Sequence, residues 1–293
     1  MISIVITSFN EPLTIAKAID SFLNQKIREK YELFVCAPDE ATLNIARSYQ
    51  KKNKQIKLFK DPGKGKSFAL NLLLPNLKGE IIILTDGDVY VSDNSVNAIL
   101  DKFQDEKVGC VSGRVASQDS RDSLFGYWGH ILFQAAHDLR KNRYEKKEFL
   151  ECSGYLWAFR NILKSFPEKA SEDAVVPIIF YNKGYKIAYA ESALVYVKSP
   201  ASLHDFIEQK KRNMKGHEIL ERHFKADIPR MKTLSTEIVN GYKLLLFPRN
   251  LKEIFFTLSL FPLRLYIWML TFYHLKLKKQ EYSDGWKRID STK

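Results

Sequence analysis

Asp86 and Asp88 stand with only Gly87 between them, at the end of a strongly apolar run through Ile81, Ile82, Ile83 and Leu84. Two carboxylates so spaced offer hard oxygen ligands of the kind that hold Mg2+ or Mn2+. A diphosphate fills several coordination positions of such an ion with its own oxygens, so two protein ligands suffice. Gly87 leaves the backbone open to close approach. An Asp-x-Asp tripeptide also occurs as a plain turn with solvated carboxylates, and its company along the chain must decide between the two.

The elements around it support the chemical reading. Short apolar runs alternate with helical patterns through the first half. Strands are expected at Ile2–Thr7, Tyr31–Ala37, 56–59 and 80–85, with helices at 12–25, 40–51 and 66–71. Such alternation implies a parallel sheet with helices on both faces, in which ligands bind beyond the carboxyl ends of the strands. Loops 8–11, 37–39 and 86–88 all fall at that edge. Further on, a helix at 94–103, a strand at 108–115, a helix at 123–142 and a strand at 151–159 are expected. Ser171 can cap a helix through residue 181, with Gly184 past its end. A strand at 186–197 follows, then a long helix to about 223 that opens on the capping-box pattern Ser202-x-x-Asp205.

Five motifs follow one another along the chain: Ile4-Val5-Ile6-Thr7-Ser8-Phe9-Asn10-Glu11, Gly65-Lys66-Ser67-Phe68-Ala69-Leu70-Asn71, Asp86-Gly87-Asp88, Glu172-Asp173 and Gln209-x-x-Arg212. In that order they resemble the motifs of the inverting glycosyltransferases of family two. The resemblance runs from residue 2 to about 216. It implies an α/β GT-A fold, a Rossmann-like mixed sheet flanked by helices, over 1–224, and a helical membrane-associating region over 225–293. The opening Ile-Val-Ile-Thr-Ser-Phe-Asn-Glu is similar to the family's first strand and nucleotide-contacting loop, which places Thr7, Phe9, Asn10 and Glu11 near base and ribose. Asp39 falls where the family has an aspartate near the nucleobase, although Cys36-Ala37-Pro38-Asp39-Glu40 replaces the usual Asp-Asp-Gly-Ser. Gly65-Lys66-Ser67-Phe68-Ala69-Leu70-Asn71 is similar to Gly-Lys-x-x-Ala-Leu-Asn, so Lys66 and Asn71 join the donor site, Lys66 helped by a helix N-terminus. Asp86, Gly87 and Asp88 hold donor and metal. Glu172-Asp173 resembles Thr-Glu-Asp, with Asp173 the general base, kept ionised in the first turn of a helix. Gln209 and Arg212 match Gln-x-x-Arg and share a helix face. Arg212 can neutralise the leaving diphosphate, and Gln209 sits beside donor or acceptor. Asn213 replaces the family's tryptophan, which favours transfer of a single sugar. Tyr155 and Trp157 occupy an acceptor-facing strand, as a stacking platform or as core residues. The resemblance thus implies a UDP- or GDP-sugar donor, a divalent cofactor (Mn2+ or Mg2+) and a glycan or lipid-linked acceptor.

The chain has 293 residues, 45% hydrophobic and 27% charged, as a globular protein should. Its net charge of +12 is uneven, +4 over residues 1–200 and +8 over 201–293. That points to an anionic partner. No helix-turn-helix, zinc-knuckle or RNA-recognition signature accompanies it, so nucleic acid is not the expected partner. Residues 254–275 form an apolar and aromatic run flanked by Arg249, Lys252, Lys276, Lys278 and Lys279. The run could span a bilayer by length, but Pro262 and Arg264 near its middle favour two interfacial helices on the inner face of the membrane. A helical cap buried against the catalytic domain is the alternative. The first residues lead directly into a strand, so the catalytic part is expected at the cytoplasmic face of the cell membrane. Cys36, Cys110 and Cys152 suit small core positions. Two other functions stay open, a nucleotidyltransferase of related fold and a non-catalytic membrane-bound nucleotide-sugar binder.

Overall fold

In a computed structural model, residues 1–167, 171–218, 231, 237 and 241–274 are described, with side chains at 214–218 set aside. The elements, in chain order, are β1 (Ile2–Thr7), α1 (Ile15–Leu23), β2 (Tyr31–Ala37), α2 (Glu40–Gln50), β3 (Ile56–Lys60), α3 (Lys66–Leu73), β4 (Ile81–Asp86), β5 (Tyr90–Val91), α4 (Ser95–Lys102), β6 (Val108–Ser117), α5 (Leu124–Glu145), β7 (Leu156–Arg160), α6 (Glu172–Asn182), β8 (Lys186–Val197), α7 (Leu203–Glu218) and α8 (Leu251–Phe272). The expected end of α7 near 223, the boundary at 224–225 and the flanking Lys276, Lys278 and Lys279 lie outside the described residues.

All eight strands join one sheet in the order β3-β2-β1-β4-β7-β6-β8-β5. The first four pair in parallel, as expected from strand–helix alternation. The second half does not continue that pattern. β7 runs antiparallel to both β4 and β6, while β6 and β8 are parallel and β5 is antiparallel to β8. The sheet is therefore mixed, as in a GT-A fold. Register aligns Thr7 with Cys36 on one side and Asp86 on the other, so three strand ends meet at one edge.

Period-two alternation sorts each strand between two cores. Ile2, Ile4 and Ile6 face a cluster with α1 and α4, whereas Val5, Ile82 and Leu84 face one with α3 and α6. Helix α1 buries Ile15, Ala18, Ile19 and Phe22, a single helical stripe. It opens at Ile15 rather than Pro12, because residues 12–14 form a turn that carries the chain out of the loop at the sheet edge. The strand expected over 151–159 begins only at Leu156, and residues 151–155 approach the site as a loop. All three cysteines are buried and free.

A third cluster binds α8 to the domain. Leu260 and Ile267 pack with Tyr127, Trp128 and Ile131 of α5 and Phe206 of α7. This corrects the expected pair of helices: α8 is one helix that runs through Pro262. Pro262 lies on the exposed side, where the lost amide deprives only the carbonyl one turn back, while anchors on either side hold the axis.

Candidate active site

The site begins with the carboxyl end of β4. Asp86 is half-buried, and its Oδ1 accepts from Lys66 Nζ at 2.7 Å and from Thr7 Oγ1 at 3.1 Å. Lys66, first residue of α3, also pairs with Glu172 Oε1 at 2.8 Å. One ammonium thus ties the Asp-Gly-Asp turn to the start of α6. Burial would lower the Lys66 ammonium, but Asp86 and Glu172 outweigh it and hold it well above the usual lysine range. Burial raises the Glu172 carboxyl, and Asp173 adds to that against the opposing Lys66. The Asp88 carboxyl is pushed up to about 6 by burial and by the charge of Asp86, with Lys66 and Arg212 acting against them.

Asp173 enters from the first turn of α6. Ser171 holds the N-cap position as expected, but its hydroxyl donates to Asp173 Oδ1 instead of capping the helix. Gly154 faces the other carboxylate oxygen; a Cβ there would lie 3.0 Å from Asp173 Oδ2. This glycine makes room for the carboxylate, and only the spatial approach of two distant segments reveals it. Tyr155 follows, with its carbonyl accepting from Thr85 Oγ1 at 2.7 Å. Burial, then Asp88 and Asp86, push its phenol up, so its ring stands beside the carboxylates. Helix α7 supplies Gln209, buried, and Arg212, exposed, whose charge reaches Asp88 and Tyr155. The cap of α7 is the expected one, with Ser202 Oγ accepting from Asp205 N at 3.1 Å.

The loop after β1 is coupled to the start of α2. Asp39 Oδ2 accepts from Asn10 N at 2.7 Å and Oδ1 from Thr42 N at 2.8 Å. Burial alone would raise the Asp39 carboxyl; these hydrogen bonds outweigh it and leave it lowered. Asn10 takes a left-handed φ of 54°, which asparagine tolerates. Glu11 N donates to Thr42 Oγ1 at 2.9 Å, and Glu11 Oε2 accepts from Ser8 Oγ at 2.6 Å. That pair lies against Gly87, where a Cβ would come within 2.5 Å of Ser8 Oγ and 2.6 Å of Glu11 Oε2. The immediate demand for glycine is therefore this packing, rather than an approaching diphosphate. Phe9 is half-buried in the same loop.

Three expected site residues are placed otherwise than expected, Thr7 within the site and the other two away from it. Thr7 is buried and turns its hydroxyl to Asp86 rather than to a base or ribose. Asn71 donates Nδ2 to Phe166 O at 3.0 Å and accepts Phe166 N at 2.6 Å on Oδ1, so its amide clasps loop 161–166 and is spent on structure. Trp157 is fully buried beneath α6, stacked on Phe159 at 5.2 Å. Strand alternation sends it into the core, and it forms no acceptor platform. Among the described residues, no group of three or more His, Cys, Asp or Glu gathers as a metal cage.

The mixed α/β sheet, flanked by helices, is a GT-A-like architecture. The family description "Glycosyl transferase family 2" matches residues 3–166, and the chain belongs to that family. It is similar to "Beta-monoglucosyldiacylglycerol synthase" of Nostoc sp., 29% identical over 130 residues, which are 42% of this chain and 28% of that protein. It is also similar to "Probable glycosyltransferase YdaM" of Bacillus subtilis, 25% identical over 247 residues, 79% of this chain and 58% of that one. The chain therefore spans less than two thirds of the length of either relative. Among solved structures it resembles mannosyltransferase PcManGT from Pyrobaculum calidifontis in complex with GDP-Man and Mn2+, with a TM-score of 0.68 at 18% identity over 96% of this chain and 88% of that one. TarS from S. aureus in complex with UDP-GlcNAc gives 0.51 at 18% identity, over 84% and 71%. At these identities the structural likeness concerns the fold.

Proposed function

We propose that this glycosyltransferase is inverting and metal-dependent, moving one sugar from a UDP- or GDP-sugar to a lipid-linked or other membrane-proximal acceptor. The observation that carries the reading is the bridge of Lys66 between Asp86 and Glu172. It ties Asp86, assigned here to the diphosphate side, to Glu172, the neighbour of the proposed base Asp173, and the charge of Arg212 reaches Asp88.

A divalent cation fits the donor set. Asp86 and Asp88 are crowded carboxylates, and Asp88 is pushed toward its protonated form; a hard cation relieves that repulsion. Two protein ligands would hold it, with diphosphate oxygens completing the shell. When bound, the ion supplies charge to the oxygens of the departing diphosphate. The chain's own residues do the rest. The Asp173 carboxylate takes the proton of the acceptor hydroxyl as its oxygen bonds to the anomeric carbon. The bond from that carbon to the diphosphate breaks, and its electron pair leaves with the nucleotide, opposed by Arg212 and Lys66. Glu172 positions Lys66. Asp39, Asn10, Glu11 and Phe9 line the nucleotide side, and Tyr155 with Gln209 the sugar side.

The membrane part of the reading rests on α8. Two of its charges turn inward, while Lys252 at its start is exposed: Glu253 accepts from Arg121 at 3.0 and 2.8 Å, and Arg264 pairs with Glu237, which also accepts from Trp268 Nε1 at 3.1 Å. Its outward stripe is apolar, with Leu251, Ile254, Leu258, Leu265, Met269 and Phe272 all exposed. A helix whose polar groups face protein and whose apolar residues face out suits a bilayer surface. It is the one described helix with the length and apolarity to cross a membrane, but its inner face is committed to α5 and α7, which favours lying on the surface.

The test pairs two variants. Asp88→Ala should abolish metal-dependent release of nucleoside diphosphate from a panel of UDP- and GDP-sugars. Asp173→Asn should keep the donor-induced rise in Tm yet stop transfer. Full transfer by Asp173→Asn would remove Asp173 as the base.

A further inference from the structure

A cleft of about 200 Å³ opens beside Asp88, walled by Thr14, Lys17, Val89, Tyr90, Gln118 and Lys198. Thr14 and Lys17 belong to the α1 segment, which packs on the sheet face opposite α6 and its Asp173. The volume is below the roughly 300–1,000 Å³ of pockets that enclose whole small ligands. A complete nucleotide-sugar does not fit it; a single charged group with its first substituents does.

The walls are equipped for an anion. Two ammonium groups line the cleft, Lys17 from α1 and Lys198 just beyond β8. Lys17 Nζ is held 3.5 Å from the centroid of the Tyr90 ring, and that ring stacks on Tyr196 at 5.0 Å. Gln118 N donates to Val197 O at 3.1 Å, which joins the ends of β6 and β8 and keeps Gln118 beside Lys198. Thr14 stands at the N-cap of α1, yet its side chain caps nothing. Its Oγ1 is buried with no hydrogen-bond partner, a position that costs free energy unless a ligand completes it. The one acidic wall, Asp88, already has the charges of Lys66 and Arg212 beside it.

We infer that this cleft is a phosphate subsite for the acceptor, receiving a phosphate carried near the hydroxyl that is glycosylated; the role, though not the binding, rests on the transferase reading above. Lysines act on phosphate as point charges from several directions, and a threonine hydroxyl donates to the same tetrahedral group. A planar carboxylate is better met by the fork of an arginine, and none lines the cleft. A neutral acceptor brings no charge to meet the two ammonium groups that line the cleft. A glycerophospholipid headgroup and a soluble phosphate ester present the same chemistry.

Isothermal titration of the full chain with glycerol 3-phosphate tests the site directly. Binding is expected with or without saturating UDP or GDP plus Mn2+. Lys17→Ala and Lys198→Ala should each weaken it about tenfold or more, and Thr14→Val should weaken it several-fold. Lys51→Ala and Lys54→Ala, on exposed surface elsewhere, should leave it unchanged. No binding to the wild type overturns the inference. So does displacement by nucleotide, which assigns the cleft to the donor, and so does an equal loss in the Lys51 and Lys54 variants, which leaves only general charge. Two further arms separate the sources. With UDP-GlcNAc or GDP-mannose as donor, glycosylated glycerol 3-phosphate points to a soluble ester. Glycosylated phosphatidylglycerol in phosphatidylcholine vesicles points to a lipid headgroup. Transfer only to diacylglycerol, unaffected by Lys17→Ala, overturns the role. Failure of every donor to bind defeats the transferase reading and leaves the glycerol 3-phosphate result standing.

Discussion

Gly154 shows how little space separates function from packing at the level of one residue. A methyl group there would press on Asp173 at 3.0 Å from Oδ2 and 3.3 Å from Cγ. The carboxylate sits at a helix start and can yield by a few tenths of an ångström, so the fold survives while the proposed base moves. Misplacement of catalytic groups by about 1 Å can cost about a hundredfold. Gly154→Ala should therefore reduce kcat about ten- to a hundredfold with little change in Tm, as paired kinetics and melts will show; unchanged kcat would release Asp173 from the base role. Asp88 makes a pH prediction. Its carboxyl is raised to about 6 in the folded chain, against about 3.9 unfolded. Between those values the native state holds the extra proton, so stability falls as pH rises through that window and levels off above it. A cation at Asp86 and Asp88 removes the penalty but competes with the proton below it. Mn2+ should thus raise Tm more at pH 7 than at pH 5, and equal gains at both would argue against this ion site.

Asn71 belongs to the scale of elements. From the sequence it looked like part of a donor motif, because it follows Lys66 at the family spacing. In three dimensions α3 turns Lys66 toward Asp86 and Asn71 toward the backbone of Phe166. The same short helix serves the site with one residue and clasps a loop with another, five positions on. Asn71→Ala should lower stability by about 1–3 kcal/mol, the cost of leaving buried backbone groups unpaired, with donor affinity retained; denaturant unfolding and donor thermal shifts measure the two. Trp157 carries the same lesson in a strand. Once β7 begins at Leu156, alternation places Trp157 in the core and leaves Tyr155, in the preceding loop, beside the carboxylates. The spacing of the two aromatics could not reveal which one the strand would swallow.

At the scale of the whole molecule, α8 packs on the rest of the chain and keeps an apolar stripe outward. It rests on α7, whose Phe206 packs with Leu260 and Ile267 and whose Arg212 charge reaches Asp88. Apolar residues on its outer side should therefore contribute to membrane binding and little to folding. Leu258→Glu with Leu265→Glu should reduce co-sedimentation with anionic vesicles about tenfold or more and leave Tm nearly unchanged. Ile267→Ala, in the buried seam, should instead destabilise by about 2–5 kcal/mol. Loss of stability without loss of vesicle binding in the Leu258 and Leu265 variant would show that the outer stripe packs on protein. The uneven charge and the apolar run were plain in the sequence. Their division into an inward polar side and an outward apolar side was not, since Arg264 finds Glu237 only after the chain has folded back.

The sequence alone determined the parallel half of the sheet and the edge at which Asp86 and Asp88 emerge, because strand and helix periods and the residues that end them are local properties. It also carried the family order of motifs, which brought Lys66, Glu172, Asp173, Gln209 and Arg212 into view. Only the tertiary structure decided which of these meet. The Lys66 bridge joins residues twenty and more than a hundred positions apart in the chain. The reversal of β7, the room that Gly154 leaves for Asp173 and the cleft between α1 and the ends of β6 and β8 depend likewise on distant segments meeting. Those contacts follow from how the two cores pack, and no local pattern in the chain encodes them.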